Sequence, residues 1–227
     1  MSYYQTRPDR MPPVVTNLLI INGLFFLATY FFQFQGIDLR GILGMYNVLS
    51  PNFKPYQLFS HMFMHANIGH IFFNMFALWM FGSPLENVWG HQRFLLYYII
   101  TGLGAAALHL GVGAWEIHQL QNAVQSGTAD PALLDMMLNI PTVGASGAVF
   151  GLLLGFGMLF PNTELIMLFF PVPIKAKYFV IIYGLLELFA GIGKFQGDNV
   201  AHFAHLGGML FGFILIKLWQ KDRRNFF

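Results

Sequence analysis

Long apolar runs are the feature that most constrains this sequence. Six stretches approach the roughly 20 residues that an α-helix needs to cross the hydrocarbon core of a bilayer. The composition agrees, because 56% of the 227 residues are hydrophobic and only 10% are charged, whereas a soluble domain carries about a quarter charged residues. The sequence therefore predicts an all-α membrane protein, a bundle of six transmembrane helices. The predicted spans are Val14–Phe34, Met62–Phe81, Phe94–Trp115, Pro141–Phe160, Lys177–Ile192 and Ala201–Trp219.

A chain of this length with six spans leaves room for one domain. We expect residues 1–227 to form a single membrane domain, with tails at residues 1–13 and 220–227. The first apolar run shows no small-residue cleavage site, so we expect it to be retained as a span. We also expect a partly membrane-embedded loop at Gln35–Ser60 and a solvent loop at Glu116–Asn139.

Positively charged residues predict the direction of the spans. Cytoplasmic loops of membrane proteins carry an excess of lysine and arginine. With a cytoplasmic N-terminus, nine of the twelve basic residues lie inside, so we expect both tails in the cytoplasm. The nine are Arg7, Arg10, Arg93, Lys175, Lys177, Lys217, Lys221, Arg223 and Arg224, and the three outside are Arg40, Lys54 and Lys194.

Composition also excludes several functional classes. The chain has no cysteine, which rules out disulfides, thiolate metal ligands and a cysteine nucleophile. Its formal net charge is only +2 and its basic residues form no long patch. We therefore expect the lipid bilayer, and no nucleic acid, among its partners.

Polar residues recur near one end of three predicted spans. His70 and Asn74 lie in the second span, Ser146 in the fourth and His205 in the sixth. All three spans enter from the external face in the predicted orientation. A rise of 1.5 Å per residue places Ser146 and His205 roughly 6–8 Å from the outer helix ends, at a similar depth. Ionisable groups are costly inside a membrane, so their default interpretation is functional.

Each of these residues also has a purely structural interpretation. A serine among glycines is typical of close helix packing, and His70 and Asn74 could simply donate hydrogen bonds between helices. Two rows of small residues predict that the fourth span packs tightly on the sixth. Since close packing is also what a serine–histidine contact needs, the rows favour neither interpretation. They are Gly147, Gly151 and Gly155 in the fourth span, and Ala204, Gly208 and Gly212 in the sixth.

The functional interpretation is acyl transfer. A serine hydroxyl becomes a useful nucleophile when a base within hydrogen-bond reach takes its proton, and His205 is the candidate base for Ser146. Asp198 precedes the sixth span and no carboxylate stands close to the histidine in a helix, so we expect a Ser–His dyad. His70 and Asn74, four residues apart, share a helix face. Together with the backbone N–H of the serine they would donate hydrogen bonds to the oxyanion.

Three motifs, in order and in the right spans, resemble those of the rhomboid intramembrane serine proteases. They are HIFFN in the second span, GASG in the fourth and AHLGG in the sixth, and the resemblance covers nearly the whole chain. It implies that Ser146 is the nucleophile and His205 the general base, with His70 and Asn74 as oxyanion donors. It also implies that Phe150, four residues after the serine, stacks on the catalytic histidine.

The resemblance further implies a substrate class and a location. The substrates would be single-pass transmembrane proteins, cut within or next to their membrane segment, and the enzyme would be a multi-pass protein of the plasma or inner membrane. The fifth span would move to admit them. Glu187 within that span is not explained by the resemblance, and its purely structural interpretation is a contact inside the bundle. Glu86, just past the second span, matches a structural acidic position. Many rhomboids carry a Trp-Arg pair in the first loop, which is absent here, and Gln57 stands about where the arginine would align.

Two other functions stay open from the sequence. A rhomboid-like protein could bind membrane proteins without cutting them, although this chain keeps both the serine and the histidine. Five histidines, two of them four residues apart, could instead ligate a metal or haem, but the glycine rows imply helices too close for a haem slot. We expect neither a cofactor nor a metal, and the oligomeric state is not predicted. The five are His61, His65, His70, His202 and His205.

Overall fold

The structure, a computed structural model, describes residues 11–167, 170–193 and 201–221. Within these residues the chain forms ten α-helices and one antiparallel hairpin. The predicted all-α membrane bundle is confirmed, and the hairpin is an addition that the sequence did not predict. The elements are α1 (Pro13–Gln33), α2 (Leu39–Leu43), α3 (Gln57–Ser60), α4 (Ile68–Ala77), α5 (Ser83–Trp89), α6 (His91–Gln125), α7 (Pro131–Asn139), α8 (Ser146–Leu159), β1 (Glu164–Met167), β2 (Phe170–Lys175), α9 (Ala176–Gly193) and α10 (His202–Lys221).

Among the described residues, five helical stretches are long and apolar enough to cross a membrane. They are α1, the continuous helix from Ile68 to Trp89, α6, α9 and α10. The further apolar helix, α8, has 14 residues, which is about 21 Å at 1.5 Å per residue and shorter than a hydrocarbon core of roughly 30 Å. Ten of these residues are buried, so α8 faces protein rather than lipid.

Some residues used for the sequence predictions lie outside the described part of the chain. They include most of both predicted tails and the acidic residue before the sixth span. The described helices begin with α1 and end with α10, which reaches into the predicted C-terminal tail. The residues concerned are Arg7, Arg10, Lys194, Asp198, Arg223 and Arg224.

The second span begins and ends later than the predicted Met62–Phe81. Asn67 caps α4 by accepting a hydrogen bond from the backbone N–H of His70 (2.8 Å). The helix then passes through a π-helical turn at Leu78–Gly82 into α5, which ends at Trp89. The residues before the cap belong instead to the first loop.

The predicted solvent loop at Glu116–Asn139 is wrong. Helix α6 continues to Gln125, ten residues beyond the predicted end at Trp115. The glutamate, glutamine, leucine and alanine residues there are good helix formers even without a membrane around them. A second helix, α7, follows, and Asp130 caps it by accepting a hydrogen bond from the N–H of Ala132 (2.9 Å).

The fourth span begins at Ser146 and not at the predicted Pro141. Gly144 has a φ of +134°, which a helix does not allow and which favours glycine. The preceding backbone pairs with the first loop. Thr142 and Met45 exchange two hydrogen bonds of 2.8 Å, and the N–H of Gly144 donates to the carbonyl of His61 (2.9 Å). Non-helical backbone is thereby satisfied inside the protein, where a membrane protein tolerates it.

Close contacts between α6, α8 and α10 build the centre of the bundle. Gly208 lies against the backbone of Gly147, and a side chain at position 208 would collide with the carbonyl oxygen of Gly147. Ala105 of α6 lies beside both Gly147 and Gly207. The predicted contact between the fourth and sixth spans is therefore present at Gly147.

The other two glycines of α8 serve a different contact from the predicted one. A Cβ atom at Gly151 would meet Thr101 of α6, and one at Gly155 would meet Tyr97 and Trp89. The hydroxyl of Tyr97 also donates a hydrogen bond to the carbonyl of Gly151 (2.8 Å). Gly151 and Gly155 bring α8 against α6 and α5, so the prediction that they face the sixth span is wrong.

Gln57 anchors the first loop from a buried position. Its Oε1 accepts hydrogen bonds from the N–H groups of Lys54 (3.0 Å) and Tyr46 (3.4 Å). Its Nε2 donates to the carbonyls of Ile42 and Asn52, both at 3.2 Å. All four hydrogen-bonding positions of the amide are used. The loop therefore has an anchor at the position where the resemblance suggested an arginine.

Glu86 joins the start of α1 to the end of the second span. It is buried in α5, and its carboxylate oxygens accept hydrogen bonds from the N–H groups of Val14 (2.9 Å) and Val15 (2.8 Å). The first N–H groups of a helix have no partner within the helix, and that end attracts negative charge. Nδ1 of His91 donates to the same carboxylate at 2.6 Å. The sequence suggested that Glu86 lies just past the second span, but it lies inside that helix.

Candidate active site

Ser146 and His205 form the central contact of the candidate site. Oγ of Ser146 lies 2.9 Å from Nε2 of His205. Ser146 is the first residue of α8 and His205 the fourth residue of α10, so the predicted depth below the helix end is wrong for the serine. The contact between Gly147 and Gly208 brings the two helices close enough for these short side chains to meet.

Phe150 covers one face of the His205 ring. The two ring centroids are 4.0 Å apart and the planes are inclined by 6°. Phe150 lies one helical turn after Ser146, so both residues of α8 reach the same histidine. Tyr183 of α9 packs on Phe150 with a centroid distance of 5.1 Å. The imidazole is therefore fixed in its plane, with Nε2 directed at the hydroxyl.

His70 reaches the site from α4. A Cβ atom placed on Gly144 would lie 2.8 Å from Nε2 of His70 and 3.6 Å from Oγ of Ser146, so the imidazole and the hydroxyl flank the same glycine. Asn74 follows His70 by one turn, and its Nδ2 donates to the carbonyl of His70 (2.8 Å). An amide carries a second hydrogen that can be donated elsewhere. The N-terminal ends of α4, α8 and α10 thus meet around the serine.

The position of Ser146 also determines what its backbone can do. The first N–H groups of an α-helix have no acceptor within the helix, and the helix dipole favours negative charge at that end. Because α8 starts at Ser146, its N–H lies where an anion next to the hydroxyl would be stabilised. This arrangement suits the oxyanion of an acyl-transfer reaction.

A carboxylate approaches His205 from the neighbouring helix α9. Oε2 of Glu187 accepts hydrogen bonds from Nδ1 of His205 (2.8 Å) and from Nδ1 of His202 (2.7 Å). The sequence predicted that no carboxylate stands close to this histidine, and that prediction is wrong. Glu187, which the sequence left unexplained, makes a contact inside the bundle, and that contact is with the candidate base.

The same three side chains form the group that could hold a metal ion among the described residues. Their ligand atoms all lie within 4.8 Å of one another. His61 and His65 precede α4, one in a 3₁₀ turn, so they do not share the helix face that their spacing suggested. Within the described part of the chain, His61, His65 and His70 form no group of metal ligands with one another or with His202 and His205. The group that could hold an ion consists of Glu187, His202 and His205.

A pocket opens beside Ser146 on the side of α6. Its lining includes His61, Gly102 and Thr142. Nδ1 of His61 donates to the carbonyl of Gln57 (2.8 Å), and burial lowers the pKa of His61 to about 4, so the ring is neutral at pH 7. The pocket offers room for water next to the serine hydroxyl.

A comparison with known families covers most of the chain. The family model described as "Rhomboid domain" matches residues 52–221, well over half of the sequence. The chain belongs to the rhomboid family. The matched range includes all four residues that the sequence predicted for the chemistry, which are His70, Asn74, Ser146 and His205.

Individual rhomboid relatives come from plants, yeast and bacteria. RHOMBOID-like protein 12, mitochondrial, of Arabidopsis thaliana is 30% identical over 94% of this chain and 60% of its own length. Rhomboid protein 1, mitochondrial, of Saccharomyces cerevisiae is 30% identical over 99% of this chain and 58% of its own length. Rhomboid protease GlpG of Pectobacterium atrosepticum is 24% identical over 99% of this chain and 68% of its own length. The chain thus spans about three fifths of the first two relatives.

Membership of the rhomboid family agrees with the apolar helices, so this is a multi-pass membrane protein. Two bacterial relatives, GluP of Bacillus subtilis and GlpG, are named rhomboid proteases. Mitochondrial, chloroplastic and bacterial proteins all occur among the relatives. The plasma or inner membrane therefore stays a prediction for this rhomboid.

Two residues at the rhomboid site were missed by the sequence reasoning. One is Gly144, whose positive φ ends the extended segment before the serine. The other is Glu187 as a partner of the histidine. A signal for it existed, because Gly184, Glu187 and Gly191 follow one another at intervals of three and four residues and so share a helix face. Gly184 and Gly191 both lie in close contact with α10.

Proposed function

We propose that this rhomboid is an intramembrane serine endopeptidase, with Ser146 as nucleophile and His205 as general base. The observation that supports it most strongly is the 2.9 Å contact between Oγ and Nε2. As Oγ attacks the carbonyl carbon of the substrate, its proton passes to Nε2. The histidine then gives the proton to the leaving amine, and a water molecule repeats the cycle on the acyl-enzyme.

We assign stabilisation of the oxyanion to His70, Asn74 and the backbone N–H of Ser146. The imidazole of His70 and the serine hydroxyl flank Gly144, so a donor from α4 lies on the side of the serine where a carbonyl oxygen would sit. The N-terminus of α8 adds backbone donors and a favourable dipole. Removing one such donor costs on the order of 10²–10³ in kcat in other enzymes.

The substrates that fit this site are single-pass transmembrane proteins, cut within or next to their membrane segment. A helix protects its own amides, so the substrate must unwind locally to present a carbonyl. Entry past α9 is favoured because α9 is the least buried of the five described helices that could cross a membrane, with 17% of its most apolar stretch buried. The excess of basic residues supports an orientation with both tails in the cytoplasm and the serine near the opposite face. We assign the whole site to a single membrane domain.

Cleavage of a membrane-embedded substrate tests the proposal. The full chain, reconstituted in liposomes, is incubated with a fluorescently labelled single-pass protein whose membrane segment contains helix-breaking residues, and products are identified by mass spectrometry. We expect one endoproteolytic cut by the parent. Ser146→Ala and His205→Ala should each lower kcat by about 10⁴-fold or more.

Matched controls separate chemistry from folding. Ser83→Ala removes another buried hydroxyl from α5, and His118→Ala removes an exposed histidine from the far end of α6. Both should cleave at the parental rate. Cleavage that survives Ser146→Ala would overturn the proposal. A folded parent that binds the substrate without cutting it would favour a non-proteolytic rhomboid-like binder.

A further inference from the structure

Glu187 is the one buried ionisable residue of α9. The buried residues of that helix are Ala176, Val180 and Glu187. The glutamate lies on the stripe that faces α10, where a Cβ atom at Gly184 would meet Met209 and one at Gly191 would meet His202 (3.2 Å in each case). A carboxylate in such a place is costly unless hydrogen-bond donors satisfy it.

Two imidazoles supply those donors. Nδ1 of His205 and Nδ1 of His202 lie 2.8 and 2.7 Å from the same carboxylate oxygen of Glu187. An ionised carboxylate can only accept hydrogen bonds, so each Nδ1 carries a hydrogen. In a neutral imidazole the other nitrogen then has a free lone pair. For His205 that nitrogen is Nε2, the atom 2.9 Å from Oγ of Ser146.

We propose that Glu187 is a positioning residue that holds His205 in the tautomer with hydrogen on Nδ1 and a bare Nε2 facing Ser146. The role rests on the proposed function, and it replaces the predicted Ser–His dyad with a Ser–His–Glu relay assembled from three helices. When the serine proton moves to Nε2, the imidazole becomes a cation and Glu187 stabilises it without taking a proton. Phe150 fixes the plane of the ring and Glu187 fixes its direction within that plane.

His202 has a supporting part in this arrangement. It shares the Glu187 oxygen and does not contact the serine hydroxyl through any described hydrogen bond. Its N–H therefore helps to satisfy the buried carboxylate and keeps α9 attached to the first turn of α10. Loss of His202 should weaken the relay less than loss of Glu187, since the bond from His205 remains.

The tautomer of His205 is a direct readout that a packing role would not alter. The full chain, labelled with ¹⁵N-histidine and held in lipid nanodiscs, is examined by NMR, and the His205 signals are assigned with a His205→Gln variant. We expect a protonated Nδ1 and an unprotonated Nε2 in the parent. Glu187→Leu, which keeps the volume and removes the acceptor, should shift His205 toward the other tautomer.

Kinetics of the same variants measure the consequence. Glu187→Gln keeps the shape and one acceptor, and so provides a folded variant if Glu187→Leu does not fold. Either substitution should lower kcat on the order of 10²–10⁴-fold while KM changes less than about threefold, as expected for a residue that acts on the histidine of a triad. The rate at which a fluorophosphonate labels Ser146 should fall in parallel.

The other buried glutamate, Glu86, provides the control for these experiments. Glu86→Gln alters the other buried glutamate and should leave both the His205 tautomer and kcat unchanged. An unchanged tautomer in Glu187→Leu, or a raised KM with kcat intact, would overturn the role of Glu187. So would loss of activity on adding a chelator, because that result would assign these three ligands to a metal ion. If the parent cuts no substrate, the proposed function fails, while the tautomer still decides what Glu187 does.

Discussion

Two buried glutamates in this bundle accept hydrogen bonds in different ways. Glu86 receives two backbone N–H groups at the start of α1 and one from His91. Glu187 receives two imidazole N–H groups from the first turn of α10. Both satisfy a carboxylate inside an apolar protein, as burial requires. The first joins the ends of helices, while the second determines which nitrogen of a histidine faces the serine.

The difference shows how one type of interaction can serve either the fold or the site. Backbone donors have no alternative protonation state, so the bonds to Glu86 only stabilise the position of α1. Imidazole donors have two tautomers, so the bond from His205 to Glu187 selects between states of different chemical reactivity. Substitutions around Glu86 should therefore change stability, and substitutions around Glu187 should change turnover.

Apart from the variants of Ser146, His205 and Glu187, the largest effect on turnover is expected from Gly208→Ala, which disrupts the contact between α8 and α10. Its Cβ atom would collide with the carbonyl of Gly147, so α8 and α10 must separate and Ser146 moves away from His205. We expect kcat to fall more than about 10²-fold and stability to fall by about 1–3 kcal/mol. Cleavage rates and thermal unfolding midpoints measure both. Gly111→Ala is the control, since nothing lies within 4 Å of that position.

Glu86→Gln should affect stability alone. The amide keeps one acceptor oxygen but turns its NH₂ group toward a backbone N–H of α1, so at least one buried group loses its partner. We expect a loss of about 2–4 kcal/mol, seen as a lower thermal unfolding midpoint. Turnover per folded molecule should stay within about twofold of the parent. A large drop in kcat at unchanged stability would remove the distinction between the two glutamates.

Acid should destabilise the protein through His61, which contacts neither Glu86 nor Glu187 in any described hydrogen bond. Burial lowers the pKa of this first-loop histidine from 6.5 to about 4, so the unfolded chain binds its proton more readily than the folded one. Its contribution is complete above about pH 6.5 and is lost as the pH falls toward 4, by on the order of 1–3 kcal/mol. Unfolding midpoints at several pH values test this. His61→Asn, which keeps a donor near Nδ1, should flatten the dependence.

Phe150→Leu should have a moderate effect on turnover. The leucine keeps apolar contact with His205 but loses the stacking of two parallel rings at 4.0 Å. Aromatic pairs contribute about 0.5–1.5 kcal/mol beyond their buried area, which corresponds to about 2- to 10-fold in kcat. Phe156→Leu, lower on the same helix, serves as control and should cleave at the parental rate. An effect as large as that of Glu187→Gln would mean that packing, and not the carboxylate, orients the ring.

The smallest effect is expected from His91→Ala. Its bond to Glu86 is 2.6 Å long, but 64% of the histidine side chain is exposed. Exposed ion pairs contribute about 0–1 kcal/mol, because water and salt screen them. The unfolding midpoint should change by no more than about two degrees. A change comparable with that of Glu86→Gln would show that the imidazole, and not the backbone, satisfies Glu86.

Much of the candidate site could be predicted because its motifs are local. The glycines and serine of GASG, and the histidine of AHLGG, are each contained in a few residues, and their depth in the spans suggested that they meet. The sequence shows that Glu187 shares a helix face with Gly184 and Gly191, but it does not show which helix that face meets. Helix rotation is set by packing contacts such as Gly191 against His202. The prediction that no carboxylate stands close to His205 is wrong for that reason.

Helix boundaries were predicted less well, for physical reasons that differ along the chain. Hydropathy cannot detect that Gly144 adopts a positive φ, so the start of α8 was placed too early. It also cannot detect that α6 continues beyond its most apolar part to Gln125, because that extension depends on helix propensity and not on apolarity. Length and composition give five described helices that could cross a membrane, against the six spans that the sequence predicted.

The most direct measurement is the site of covalent labelling by a fluorophosphonate. The full chain in detergent is treated with the probe, digested and sequenced by mass spectrometry, alongside His205→Ala and the control His118→Ala. A single adduct on Ser146, absent in His205→Ala and retained in the control, is the expected result. An adduct on another residue, or labelling of Ser146 that does not depend on His205, would contradict the assignment of nucleophile and base.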